Sequence, residues 1–166
     1  MNWVNNMNKV YIGKIVSTHG IKGELKIKSD FPYKDKVFVV GNELIVEGTV
    51  YEIKSYRVHK NFDMVTLGNY HDINEVLFLL KKDVYFNKDS LELDDSEILD
   101  EDLIKFTVLT KAGKKGIIKE IFMASPGNKI LRVEFDHEVL IPFNSPMIVK
   151  IDKENKEIIV ELIEGM

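Results

Sequence analysis

Gly13-Lys14-Ile15-Val16-Ser17-Thr18-His19-Gly20-Ile21-Lys22-Gly23-Glu24-Leu25-Lys26-Ile27-Lys28 carries the clearest fold signal in the chain. On its second half Leu25 and Ile27 fall on one face and Glu24, Lys26 and Lys28 on the other, the period of two of a half-buried strand. On its first half, alternation that begins at Lys9 runs through Val10 and Ile12 to Ile15-Val16 and stops at Gly20. Gly20 and Gly23 permit positive φ on both sides of Ile21-Lys22, so the two halves predict a hairpin over about residues 10–17 and 24–28.

Beyond this hairpin, short apolar runs recur at residues 37–40, 43–46, 51–58 and 64–67, separated by turn residues such as Gly41-Asn42, Gly48 and Gly68-Asn69. Strands this short and this closely spaced predict a barrel or sandwich. Asp72 is placed to cap one helix, in which Ile73, Val76, Leu77 and Leu80 recur at helical spacing, and that helix is expected to cover an end of the barrel. A strand at 83–86 completes the first set. A second set is expected at 106–110, 116–122, 130–135, 138–141 and 158–162, with turns at Lys111-Ala112-Gly113-Lys114, Asp136-His137 and Lys153-Glu154-Asn155-Lys156. The fold class is therefore mainly β, as two small β-barrels, and 166 residues are enough for two units of roughly 75 each.

Between the two sets the charge is concentrated. Residues 88–102 carry eight acids against Lys88, a local −7, which leaves +3 on the rest of a chain whose formal net charge is −4. That composition predicts an acidic linker over 88–101 and a domain boundary there. Residues 9–30 have the opposite bias, with Lys9, Lys14, Lys22, Lys26 and Lys28 against Glu24 and Asp30, which suits phosphate. A solvated strand surface explains the same residues. Only two arginines, Arg57 and Arg132, argue against base-specific readout.

Composition excludes several classes. With 45% hydrophobic and 30% charged residues the chain is a folded soluble protein, and no apolar run reaches the ~18 residues of a spanning helix. Residues 1–8 lack the pattern of a secretory signal and are expected to be flexible, so a cytoplasmic location and no membrane partner are expected. No cysteine is present, which removes disulfides, thiol nucleophiles and cysteine-ligated metals. His19, His59, His71 and His137 lack the spacing of a shared metal site, and no metal or cofactor is expected. Ser17, His19 and Asp30 supply the residue types of a hydrolase triad without its spacing or an elbow motif. Gly113-Lys114-Lys115-Gly116 lacks the first glycine and the Ser or Thr of a P-loop.

The stretch Gly13 to Lys28 resembles the opening signature of the ribosome maturation factor RimM family, bacterial proteins that bind the small ribosomal subunit during its assembly. Asp102-Leu103-Ile104, Gly127-Asn128 with Ile130-Leu131-Arg132-Val133, Leu140-Ile141-Pro142-Phe143, Val149-Lys150-Ile151-Asp152 and the ending Leu162-Ile163-Glu164-Gly165-Met166 are similar to that family's second domain, a PRC-barrel. The resemblance divides the chain into a RimM-type N-terminal β-barrel (9–87), the acidic linker (88–101) and a PRC-barrel (102–166). It departs from the family at Ile98-Leu99, where paired tyrosines are usual, at Lys105, and at Lys81 or Lys82, where glycines are usual.

What the resemblance implies is a non-enzymatic, monomeric assembly factor. It would bind the head of the small ribosomal subunit through ribosomal protein S-nineteen and rRNA, and support processing of small-subunit rRNA. The ribosome-binding candidates are Lys14, His19, Gly20, Lys22, Gly23, Glu24, Lys26 and Lys28, and the ribosomal-protein-binding candidates are Ile98 and Leu99. The alternatives are a free-standing RNA-binding β-barrel protein and a small hydrolase using His19.

Overall fold

The computed structural model describes residues 8–166, so the expected flexible segment at 1–8 lies outside the described residues apart from Asn8. The chain divides into one unit that ends at Glu92 and a second, Leu93–Met166.

In the first unit six strands close a barrel: β1 (Lys9–His19), β2 (Glu24–Lys28), β3 (Glu43–Val46), β4 (Thr49–His59), β5 (Phe62–Leu67) and β6 (Asp83–Asn87). Their hydrogen-bonded order is β1-β2-β5-β4-β3-β6, with β6 returning to β1. Closure removes both sheet edges. Ile15, Leu25, Ile27, Leu44, Ile53, Val65 and Leu67 turn inward and are fully buried, as the period of two requires. At Gly13 the β1–β6 ladder is bulged, and a Cβ there would stand 2.4 Å from the backbone oxygen of Lys28. Only glycine allows that approach of β1 to the end of β2.

The apolar run at 37–40, expected as a strand, is not one. A helical turn, α1 (Lys34–Val37), ends there, Val37 and the following Phe38 are buried, and Val39 and Val40 are exposed. Burial of consecutive residues fits a helix end and not the alternation of a strand. The Asn42 side-chain amide donates to the carbonyls of Lys36 and Val37, satisfying the orphan acceptors of the turn.

The expected helix is present as α2 (Ile73–Val76), continued by a 3-10 turn at Leu77–Leu79. Asp72 caps it, its carboxylate accepting from the backbone N–H of Asn74 at 2.7 Å. Chain direction then reverses at Lys81, whose φ is +66° and whose N–H donates to Ile15 O at 2.8 Å. Lysine is strained in that left-handed conformation and glycine is not. Lys81→Gly is expected to raise stability by about 1 kcal/mol, read as a higher melting temperature. A lower one would show that the lysine side chain outweighs its backbone cost.

The second unit is a six-stranded sheet of β7 (Thr107–Thr110), β8 (Lys115–Ser125), β9 (Asn128–Glu134), β10 (Glu138–Pro142), β11 (Ile148–Asp152) and β12 (Glu157–Val160), in the order β10-β9-β8-β7-β12-β11. The parallel pairing of β7 with β12 joins the two ends of the unit. Strand β11 is not among the expected strands. Its residues alternate poorly between buried and exposed, because the β11–β12 register shifts between Ile148 and Lys150. The Gly113 segment is a hairpin turn, with Gly113 at φ +90°. Thr110 closes it, accepting from Gly113 N–H at its carbonyl and from Lys114 N–H at its Oγ1.

The acidic segment 88–101 is not a linker throughout. Lys88–Ser90 form a 3-10 turn, Lys88 N–H donates to Asn8 O, and the division between the units falls between Glu92 and Leu93. Ile98 and Leu99 are 4% and 5% exposed, and Ile98 joins Leu103, Phe106 and Val108 in the second unit's core. The pair therefore enters the fold just ahead of α3 (Asp100–Leu103), with Leu99 O accepting from Asp102 and Leu103 N–H. Net charge hid two apolar side chains that burial stabilises by roughly 2 kcal/mol each.

Candidate nucleic-acid interface

The β1–β2 turn is held in place. Gly20 and Gly23 have φ of +71° and +88°, and a Cβ on Gly23 would come within 3.2 Å of Asp72 O. Ile73 N–H donates to Ile21 O at 2.9 Å, so the capped start of α2 supports the turn from behind. Ile21 and Lys22 project from it, Ile21 being 78% exposed. An apolar and a cationic side chain on one rigid turn can meet both a base or sugar face and a phosphate.

Along the strands the lysines follow from the barrel's alternation. Leu25 and Ile27 are fully buried, which sends Glu24, Lys26 and Lys28 to the outer face. Lys14 lies opposite Lys28 in the β1–β2 register and both are exposed. Like charges directly across a ladder repel, an arrangement that costs stability and gathers positive potential. Lys26 is half-buried, with Nζ 4.8 Å from the Phe62 ring centroid.

Strands β4 and β5 bring further groups to this face. Lys26 pairs with Met64 on β5, and Met64 pairs in turn with Arg57 on β4, so Arg57 shares the face with Lys26 although 31 positions separate them in the chain. The Arg57 guanidinium donates from Nε to Glu24 Oε2 at 2.9 Å and from Nη2 to Oε1 at 2.7 Å. That two-point bond holds the Glu24 carboxyl below the usual carboxylate range. The His19 and His59 rings stand 5.2 Å apart, and partial burial followed by the charges of Arg57 and His19 pushes His59 below the ordinary imidazole value.

Of the residues expected to form the site, Lys14, His19, Lys22, Glu24, Lys26 and Lys28 lie on this hairpin, with the two glycines setting its turn. Arg57, His59, Lys60 and Phe62 are not among them. The basic cluster Arg57-His59-Lys60 is visible in the chain, but only sheet pairing puts it beside β2. His19 and Asp30 do not meet in a triad with Ser17, since His19 stands opposite Glu24 at one end of the β1–β2 ladder and Asp30 lies beyond the Lys14–Lys28 pair at the other. Among the described residues no three His, Asp or Glu side chains are grouped to hold a metal, and no helix is long and apolar enough to cross a membrane. Ile98 and Leu99, expected as contacts to a ribosomal protein, are almost fully buried and offer little surface. They line a cleft of the second unit together with Leu93, Phe106, Lys105 and Lys153.

Comparison with known families accounts for both units: the RimM N-terminal domain profile matches residues 10–91, and the RimM PRC barrel domain profile matches 100–166. The chain belongs to the RimM family. Among members, the ribosome maturation factor RimM of Ligilactobacillus salivarius is 39% identical over 171 residues, covering 96% of this chain and 99% of its own. That of Shouchella clausii is 33% identical over 175 residues, covering 99% and 97%. A solved structure described as a 16S ribosomal RNA processing protein RimM, from Pseudomonas aeruginosa, is 22% identical, covers 96% of this chain and 100% of its own, and superposes with a TM-score of 0.45. By the two profiles, both RimM domains are present in the order expected, and the match to the second begins at residue 100, just after the buried Ile98-Leu99 pair.

Proposed function

We propose that this chain is a ribosome maturation factor. It binds the head of the small ribosomal subunit through rRNA and ribosomal protein S-nineteen, and supports processing of small-subunit rRNA in the cytoplasm as a monomer, without catalysis of its own. The observation that carries this reading is near full-length similarity, through both domains, to proteins named for ribosome maturation. The outer face of the first barrel supplies the chemistry that rRNA phosphate requires, with Lys14, Lys22 and Lys28 exposed on one hairpin.

The second unit takes the ribosomal protein in this reading. Asp94, Asp95, Asp100 and Glu101 are exposed around its N-terminal segment and would attract a basic partner. Ile98 and Leu99 contribute as the floor of the adjoining cleft and hold the acidic segment in place.

An assembly factor must leave once its work is done. Co-sedimentation is therefore expected to recover the protein with immature small subunits at least tenfold more tightly than with finished ones, a difference of about 1.4 kcal/mol. Equal binding to both, or equal binding to naked unstructured RNA, would exclude an assembly role and favour a free-standing RNA-binding barrel.

A further inference from the structure

The tip of the β4–β5 hairpin is built at a cost. Lys60 and Asn61 have φ of +49° and +67°, the two positive values of a type I′ turn, between the paired residues His59 and Phe62. Asn, Asp or Gly relaxes the first of those positions and lysine does not. Lys60 is exposed and so keeps its charge at the tip of the hairpin. Beside it, Glu24 presents two oxygens to the Arg57 fork at 2.7 and 2.9 Å, the geometry in which a phosphate would also be held. The His19 and His59 rings lie on the same face.

We propose that this face carries a second phosphate site, in which an RNA backbone phosphate takes the Arg57 fork in place of the Glu24 carboxylate, flanked by His19, His59 and Lys60. The inference rests on the reading that this face of the barrel meets rRNA. Glu24 then acts as a resident substitute that keeps the fork oriented and that the ligand must displace.

The charged groups acting on His59 come from several strands and their turns: His19 on β1, Glu24 and Lys26 on β2, Arg57 on β4 and Lys60 at the tip. In the free protein partial burial and the cations disfavour the imidazolium. A bound phosphate favours it, so binding takes up protons and strengthens as pH falls toward and below about 6.5, the ordinary imidazole value.

The test measures binding of the full chain to immature small ribosomal subunits over a salt series at a mildly acidic and a mildly alkaline pH. Lys60→Asn and Arg57→Gln are each expected to weaken binding about fivefold to tenfold and to flatten the salt slope by roughly 0.7–0.9. Lys60→Asn should melt no lower than the parent protein, so weaker binding by this variant would not reflect a damaged fold. Glu24→Gln is expected to tighten binding several-fold. The double change His19→Gln with His59→Gln should abolish the gain at the lower pH.

Weakening by Glu24→Gln as large as that by Arg57→Gln would mean that the pair serves only the sheet, and would overturn the proposal. So would parental slopes in both Lys60→Asn and Arg57→Gln. If those two bind normally while the combined change of Lys14, Lys22, Lys26 and Lys28 to Gln abolishes binding, the second site falls and the rRNA reading of the hairpin stands. If none of these variants weakens binding, the rRNA reading of the whole face falls as well.

Discussion

Replacing Asp63 with alanine is expected to destabilise the first barrel by about 2–3 kcal/mol, the loss of a buried carboxylate that accepts from Tyr56 and pairs with the partly exposed Lys34. Its side chain is 3% exposed. Tyr56 Oη donates to Oδ1 at 2.6 Å, and Lys34 Nζ stands 2.9 Å from Oδ2, answering by charge an oxygen that accepts no well-aligned hydrogen bond. Burial and the Asp63 carboxylate together push the Tyr56 phenol well above its ordinary value, so it remains a donor throughout the accessible pH range. The Tyr56 ring in turn stacks on Phe38 with centroids 5.3 Å apart. Alanine at 63 would leave the phenol without its acceptor, the Lys34 ammonium without its counter-charge, and α1 without its tie to β5.

Urea unfolding followed by circular dichroism checks the magnitude, with the exposed Asp89→Ala as control, expected to lie within about 0.5 kcal/mol of the parent. Asp63→Asn keeps an acceptor for Tyr56 and should lose less than alanine does. A loss below about 1 kcal/mol for Asp63→Ala would mean that solvent replaces both partners, and the pair would not be what closes this part of the barrel.

Changing Lys14, Lys22, Lys26 and Lys28 together to Gln is expected to lower affinity for immature small subunits on the order of a hundredfold or more near physiological salt. The same change should flatten log K against log salt by roughly 3, at about 0.7–0.9 for each phosphate that is no longer neutralised. Lys14, Lys22 and Lys28 are exposed, so glutamine costs little fold stability there. Lys26 gives up its cation–π interaction with Phe62, so thermal melting must accompany the titration. An unchanged slope in a protein that melts normally would move the interaction to the second unit and leave the hairpin a purely structural element.

The decisive local signals are readable in the chain because they are short-range. Alternation around Leu25 and Ile27 marks a strand and its outward lysines, Gly20 and Gly23 mark the turn, and Asp72 marks a helix start, since each depends on backbone conformation within a few residues. Where local pattern and burial disagree, the chain misleads. The run at 37–40 is apolar without alternation and forms a helix end, and Ile98-Leu99 sits among acids yet enters a core.

Local pattern was thus enough for the mainly-strand character of both units and for the hairpin that carries the lysines, and the opening signature was enough for the family. It could not place Arg57 and His59 beside Glu24 and His19, an arrangement that exists only in the folded barrel. Those contacts span 33 and 40 positions of chain and arise because β5 inserts between β2 and β4. That pairing order is fixed by barrel closure and by the burial of Asp63, Met64 and Val65, which no local period encodes.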